Sequence, residues 1–248
     1  MLAGYGHFLR TAASLQWDET AIDLSVDARA FGDLGVDERE RIGRLVAGFR
    51  LGERSVAAHL EPYARAAADP DAAACFEIQA VDEARHARFF ERAAVEVLGD
   101  RYRSTVPSAV AALFGERLPA AAAELAADPS GLDAAVGLYH IVLEGVVFTA
   151  GQLALLALLG EIDTLPGLGR GVDLVMRDEH WHMGFGARCL QDLGPSPETL
   201  AAIAREGERA AEAWGECVAP QLAARVRALH RRRLRAAGLG AQAVAHAR

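Results

Sequence analysis

Apolar residues recur at three- and four-residue spacing along almost the whole chain, and runs that alternate apolar with polar positions are few, so the pattern predicts an all-α protein. One long helix is expected to begin after Asp37 and to run through ERERIGRLVAGFRLGERSVAAHLEPYARAA until Asp69 and Pro70 stop it. A second starts at Asp71 and ends near Gly99; a loop through Arg101 to Val106 follows, and Pro107 is placed to open a helix that ends near Asp128. Pro129, Ser130 and Gly131 break the chain before an apolar helix over Leu132 to Leu159, and the Pro166-Gly167 region separates it from another that reaches Leu193. A last helical region runs from Ser196 and Pro197 to about Ala237, with Pro220 expected to kink or divide it.

Helices of about 25 to 30 residues are roughly 40 Å long at 1.5 Å per residue, which suits an up-and-down bundle. No Gly/Ser-rich linker interrupts them, so residues 16–240 read as one domain, with an N-terminal segment at 1–15 and a flexible tail at 241–248. The longest apolar stretch, GVVFTAGQLALLALL from Gly145 to Leu159, is fifteen residues. A bilayer span needs roughly 18 to 20, so a buried helix is expected and no membrane span.

Composition narrows the function classes. With 52% hydrophobic and 24% charged residues the chain reads as globular with a sizeable core. A net charge of -8 and a pI near 5.5 argue against nucleic acid, which needs clustered positive charge. Cys75, Cys189 and Cys217 form no C-x-x-C pair and suggest neither a zinc knuckle nor a disulfide framework. They suit a reducing cytoplasm, and no secretory signal is read at the amino terminus.

The candidate chemistry is a doubled motif, Asp82-Glu83-Ala84-Arg85-His86 and Asp178-Glu179-His180-Trp181-His182, each D-E-x-x-H. Residues three apart share a helix face, so each Glu and its His can aim at one metal ion. One such pair is most often surface charge. Here each follows a further Glu on the preceding helix: Glu53 lies 30 residues before Glu83, and Glu144 lies 35 before Glu179. Glu144 sits inside IVLEGVVF, where an ionised carboxylate is costly unless paired or metal-bound. Carboxylates with one imidazole per ion suit iron or manganese, and ferritin-like di-metal four-helix bundles use this count. By that analogy Glu83 and Glu179 bridge, with Glu53 and His86 on one ion and Glu144 and His182 on the other. Asp82 and Asp178 are candidates for holding a histidine ring in place. His180 faces elsewhere and is read as supporting or structural.

Over Trp17 to Leu193 the sequence resembles the ribonucleotide reductase small-subunit superfamily, through WDETAIDLSVDARAF at Trp17 to Phe31 and RDEHWH from Arg177. Phe90 stands one turn after His86, where the radical-bearing Tyr of many small subunits falls, and no Tyr lies beyond Tyr139. Both features, with Glu53 in place of an Asp, make the chain more similar to the ligand-binding oxidase branch. That resemblance implies a mixed Mn/Fe or an Fe/Fe centre with dioxygen as cosubstrate, a fatty-acid-like or other hydrophobic ligand, a homodimer, and an ether cross-link between Val56 and Tyr139. An ideal helix turns Tyr139 about 140° from Glu144, so its contact with the metals requires side-chain reach or local distortion. Trp17 resembles the radical-transfer Trp of small subunits but is read as an interface or core residue. The leading reading is a dioxygen-activating di-metal oxidase acting on a C–H bond or bound ligand. The alternatives are an arylamine-type N-oxygenase, whose extra ligand His is replaced here by Val175, and a reductase small subunit or a non-catalytic metal-binding bundle.

Overall fold

The computed structural model describes residues 2–99 and 105–239; the tail at 241–248 and most of the expected loop from Arg101 lie outside them. Among the described residues there is no strand. The helices are α1 (Tyr5–Ser14), α2 (Ser25–Ala30), α3 (Val36–His59), α4 (Glu61–Ala66), α5 (Pro70–Arg92), α6 (Ser108–Ala112), α7 (Leu118–Ala127), α8 (Leu132–Val136), α9 (Thr149–Ile162), α10 (Pro166–Leu193), α11 (Pro197–Ala210) and α12 (Pro220–Ala236). A π-helical stretch, Gly137–Phe148, joins α8 to α9 without a break. The fold is a ferritin-like four-helix bundle made by α3, α5, the α8-to-α9 run and α10, with additional helices around it.

Local chemistry sets the ends. The Asp69 side chain accepts from the backbone N–H groups of Asp71 and Ala72 and so starts α5. Gly194, at φ 61°, closes α10 in the left-handed conformation that costs glycine little. One boundary differs from the sequence expectation. The first long helix does not run to Ala67: it stops at His59 and restarts as α4. Pro62 lacks the N–H that would bond back one turn, and its ring crowds that carbonyl, so it is accommodated only in the first turn of a new helix. The last region is divided at Pro220 as the sequence predicts, since α11 ends at Ala210 and Pro220 opens α12. The segment at 1–15 holds α1, which buries Phe8 and Ala12 and packs against α5 and α10.

The helical run Pro129–Ile162 is long and apolar enough to cross a membrane by length and composition. Its most apolar part lies mostly buried inside the bundle. Every residue from Gly137 to Phe148 is buried. Hydrogen bonds that run five residues back in this stretch, rather than four, release some carbonyls from the usual ladder. Side chains from outside take them up. Thr149 Oγ1 donates to the Glu144 carbonyl at 3.0 Å, Arg233 Nη1 to that of Gly145 at 2.6 Å, and Trp214 Nε1 to that of Val147 at 2.7 Å. Helix α12 and the turn before it thus hold the π stretch in place from behind.

Candidate metal centre

Each of the four bundle helices brings a carboxylate to the middle of the bundle. Glu53 comes from α3, Glu83 with His86 from α5, Glu144 from the π stretch, and Glu179 with His182 from α10. All six are 0–1% exposed. Their ligand atoms form two overlapping groups, Glu53, Glu83, His86 and Glu179, and Glu83, Glu144, Glu179 and His182, with the atoms in each within 4.8 Å of one another. Glu83 and Glu179 belong to both groups, the sharing expected of bridging carboxylates. The two imidazole centroids are 5.9 Å apart.

Most of the polar atoms aimed inward make no hydrogen bond, although the two Nδ1 atoms lie 3.1–3.6 Å from the carboxylates. Both oxygens of Glu53 and of Glu179, one oxygen each of Glu83 and Glu144, and Nδ1 of His86 and of His182 have no hydrogen-bond partner. Buried polar atoms are nearly always satisfied, so eight orphans at one point call for a ligand that accepts lone pairs. Four carboxylates and two imidazoles in two groups suit two hard to intermediate divalent ions such as manganese and iron. Among themselves the groups resolve their charge unevenly. Burial raises the Glu53, Glu144 and Glu179 carboxyls, and neighbouring carboxylates push the same way. Burial acts on Glu83 too but is outweighed by His182 and His86, which hold it well below the usual range. Both imidazoles are raised: burial opposes this, and the surrounding carboxylates, led by Asp178 at His86 and Asp82 at His182, outweigh it.

The outer nitrogens explain why Nδ1 points inward. His86 Nε2 is 3.2 Å from Asp178 Oδ2, and His182 Nε2 is 3.5 Å from Asp82 Oδ2. The pairing is crossed: the aspartate of each motif faces the histidine of the other. Arg85, 4% exposed, bridges the two aspartates at 2.6 Å to Asp82 and 2.9 Å to Asp178. Trp17 Nε1 donates to Asp178 at 2.7 Å, and its ring lies 6.2 Å from that of His86, nearly parallel. Gln16 and Trp181 both donate to Asp82, at 3.2 Å. Burial raises Asp178, but His86, Trp17 and Arg85 outweigh it and hold the carboxyl down to about 2. Trp17 is therefore part of the site's hydrogen-bond network, more than the interface or core residue the sequence suggests.

Tyr139 is also brought in. Its hydroxyl donates to Glu83 Oε1 at 2.8 Å, while Gln79 Nε2 donates both to that hydroxyl at 2.8 Å and to Glu144 Oε1 at 2.7 Å. The π stretch supplies the local distortion: where the hydrogen-bond repeat is five residues, Tyr139 and Glu144 share a face. Burial and the Glu144 and Glu83 charges keep the phenol protonated. Val56, 1% exposed, lies one turn after Glu53 on α3. His180 faces outward with Nδ1 against the Met176 carbonyl at 2.6 Å and takes no part. Val175, one turn before Glu179, is buried and apolar, so it adds no ligand. Gln79 was missed from sequence, although its spacing to Glu83 and His86 places all three on one face of α5.

The profile of the ribonucleotide reductase small chain matches residues 5–216. Similar solved structures include an R2-like ligand-binding oxidase from Sulfolobus acidocaldarius, 24% identical over 96% of this chain and 90% of that one, with a TM-score of 0.80. A glycine-to-leucine mutant of an R2-like ligand-binding oxidase with a non-activated Mn/Mn cofactor is 22% identical over 97% and 93%, with a TM-score of 0.81. A tyrosine-to-phenylalanine mutant with an aerobically reconstituted Mn/Fe cofactor is 21% identical over 97% and 94%, with a TM-score of 0.80. These likenesses establish the fold.

Proposed function

The chain belongs to the ribonucleotide reductase small-chain family, and from that premise we propose that it is a dioxygen-dependent di-metal oxidase acting on a C–H bond inside the bundle. The observation that carries this reading is the convergence of eight buried ligand atoms without a hydrogen bond from Glu53, Glu83, His86, Glu144, Glu179 and His182. Glu53 and His86 would hold one ion and Glu144 and His182 the other, with Glu83 and Glu179 shared. The Mn/Fe and Mn/Mn cofactors of the similar structures support manganese and iron as the occupants. When bound, two such ions supply the electrons and the place at which dioxygen is reduced.

The chain's own residues supply the rest. Asp178 and Asp82 fix the imidazoles through Nε2, leaving Nδ1 turned to the carboxylate cluster where it would hold an ion. Gln79 and Glu83 hold the Tyr139 hydroxyl at a carboxylate, where its proton has an acceptor. Phe49, Phe90 and Phe148, all fully buried, keep water from the oxidising face. A bond between the Tyr139 oxygen and a carbon of Val56 would remove one hydrogen from each, a two-electron oxidation with dioxygen as the acceptor. The buried positions of both residues support that cross-link.

Peptide mass spectrometry after aerobic loading with manganese and iron tests it. Loss of two hydrogens confined to the peptides bearing Val56 and Tyr139 is expected, together with dioxygen uptake by the reduced, loaded protein. Full metal occupancy with no uptake would sink the oxidase; uptake with unmodified peptides would sink the cross-link alone. A second reading, a radical-supplying subunit, is favoured by one observation, the continuous path Trp17 Nε1 to Asp178 to His86. Stimulation of nucleotide reduction by a large-subunit partner would establish it. Nitro or hydroxylamine formation from arylamines would instead favour an N-oxygenase.

A further inference from the structure

Three phenylalanines stand one helical turn from three of the candidate ligands: Phe49 four residues before Glu53, Phe90 four after His86, and Phe148 four after Glu144. Each is fully buried. Phe49 stacks on Phe90 at 4.8 Å and 13°, and Phe148 stacks on Phe114 at 4.8 Å and 14°. Phe49 joins the two stacks at 5.7 Å from Phe148, and Trp214 closes the cluster 5.1 Å from Phe49.

The backbone is shaped around these rings. A Cβ on Gly52, the residue before Glu53, would lie 2.6 Å from Phe148 Cε1. One on Gly151 would lie 2.5 Å from Trp214 Cζ2 and 2.8 Å from Phe49 Cζ, and Gly48 also abuts Trp214. The rings therefore press directly on the main chain of α3 and α9, at separations that any other residue would forbid. The stacked rings fill the space beside Glu53 and Glu144, and in a close-packed interior that leaves no room on this side for an alkyl chain. Dioxygen, a small apolar molecule, needs only the ordinary fluctuations of side chains to pass.

We infer that this aromatic cluster sets the size of what reaches the metal-facing carboxylates, and that Phe148 is the specificity-determining residue, admitting dioxygen and excluding a chain-like apolar ligand. The inference rests on the oxidase reading above. It narrows the oxidisable C–H bonds to small molecules and to the chain's own side chains, with Val56 buried one turn from Glu53. A fatty-acid-like occupant, which the family resemblance implies, does not fit while Phe148 covers Gly52.

The test is a titration of the manganese- and iron-loaded protein with dodecanoate, followed through the absorption of the metal centre, with metal content measured on each sample. Wild type is expected to show no spectral change. Phe148→Ala is expected to show a saturable change with a Kd at least tenfold below any wild-type value, and Phe148→Leu, which keeps more of the packing, a weaker version of it. A saturable change in wild type matching that of the variants would overturn the inference, as would two folded, fully loaded variants that both stay silent. Wild type that retains no metal would remove the oxidase reading and this inference with it. Retained metal without size discrimination removes only the inference.

Discussion

Asp178 lies on α10, yet its Oδ2 is 3.2 Å from Nε2 of His86 on α5, so each half of the metal centre is held in shape by the other. The reciprocal contact, Asp82 to His182 at 3.5 Å, is longer. A buried guanidinium, Arg85, ties both aspartates together and offsets their charge. Two helices that each carry a complete D-E-x-x-H motif are thus not independent half-sites.

Replacing Asp178 by Asn removes the carboxylate that fixes the His86 tautomer while keeping the side chain's size. Partners of this kind commonly affect metal affinity by about 10- to 100-fold. The expected outcome is a loss in that range, read by chelator competition with manganese. It should exceed the loss in Asp82→Asn, because the Asp82 contact is the longer one. Equal, wild-type affinities in both variants would show that the crossed contacts do not position the imidazoles.

His140 gives a pH dependence whose sign is fixed by its burial. The ring is fully buried, its Nε2 3.0 Å from Gln79 Oε1, and its pKa is pushed down to about 3 by burial first and by the nearby His182. An unfolded histidine titrates near about 6.5. The folded state therefore binds fewer protons, so this contribution is intact above about 6.5 and is lost as pH falls towards 3, at up to about 1.4 kcal/mol per pH unit. In urea unfolding at pH 7 and pH 5.5, the stability gap between wild type and His140→Gln should shift in the variant's favour at the lower pH. Parallel behaviour would mean that His140 charges without cost.

The doubled motif and the two upstream glutamates were legible because helical spacing alone puts Glu83 with His86 and Glu179 with His182, and because Glu144 had no reason to be ionised in an apolar run. What was hidden depends on geometry that a regular helix does not have. In a regular helix with a hydrogen-bond repeat of four Tyr139 would point away from Glu144, whereas the π stretch has a repeat of five and turns the residue inward. Trp17 carries no local signal of its role, since its partner Asp178 is 161 residues away. The break at Leu60 was legible in Pro62 and was overridden by an otherwise regular apolar period.

Glycines separate by what surrounds them. A methyl on Gly52 would meet the Phe148 ring at 2.6 Å, whereas Gly160 on α9 has nothing within 4 Å. Gly52→Ala should destabilise the fold by about 1–3 kcal/mol, the usual cost of overpacking a core. Gly160→Ala should stabilise it by about 0.5–1 kcal/mol, because the exposed helical site loses only unfolded-state freedom. Chemical denaturation of the two variants side by side decides the matter. A neutral Gly52→Ala would mean that the aromatic cluster gives way easily and is a weak size barrier.

The π stretch is held by donors that lie outside it, which makes the metal centre depend on a residue that touches no ligand side chain. Arg233 on α12 donates to the Gly145 carbonyl at 2.6 Å and to Thr149 Oγ1 at 3.3 Å, and Thr149 in turn donates to the Glu144 carbonyl. Arg233→Met keeps much of the stem but leaves the Gly145 carbonyl without that donor, a cost of about 1–3 kcal/mol for a buried acceptor. Part of that cost can be relieved if the stretch relaxes towards an ordinary α-helical repeat, which would turn Tyr139 away from Glu83 and shift Glu144. Weaker metal binding at the Glu144 and His182 half is therefore expected, together with a fall in stability, both read by metal titration and thermal unfolding. Arg231→Met is the control, since its ion pair to Glu208 is exposed and contributes about 0.2–1 kcal/mol. If Arg233→Met loses stability but binds two metals as wild type does, the π repeat is set by the packing of Gly137–Phe148 itself and not by α12.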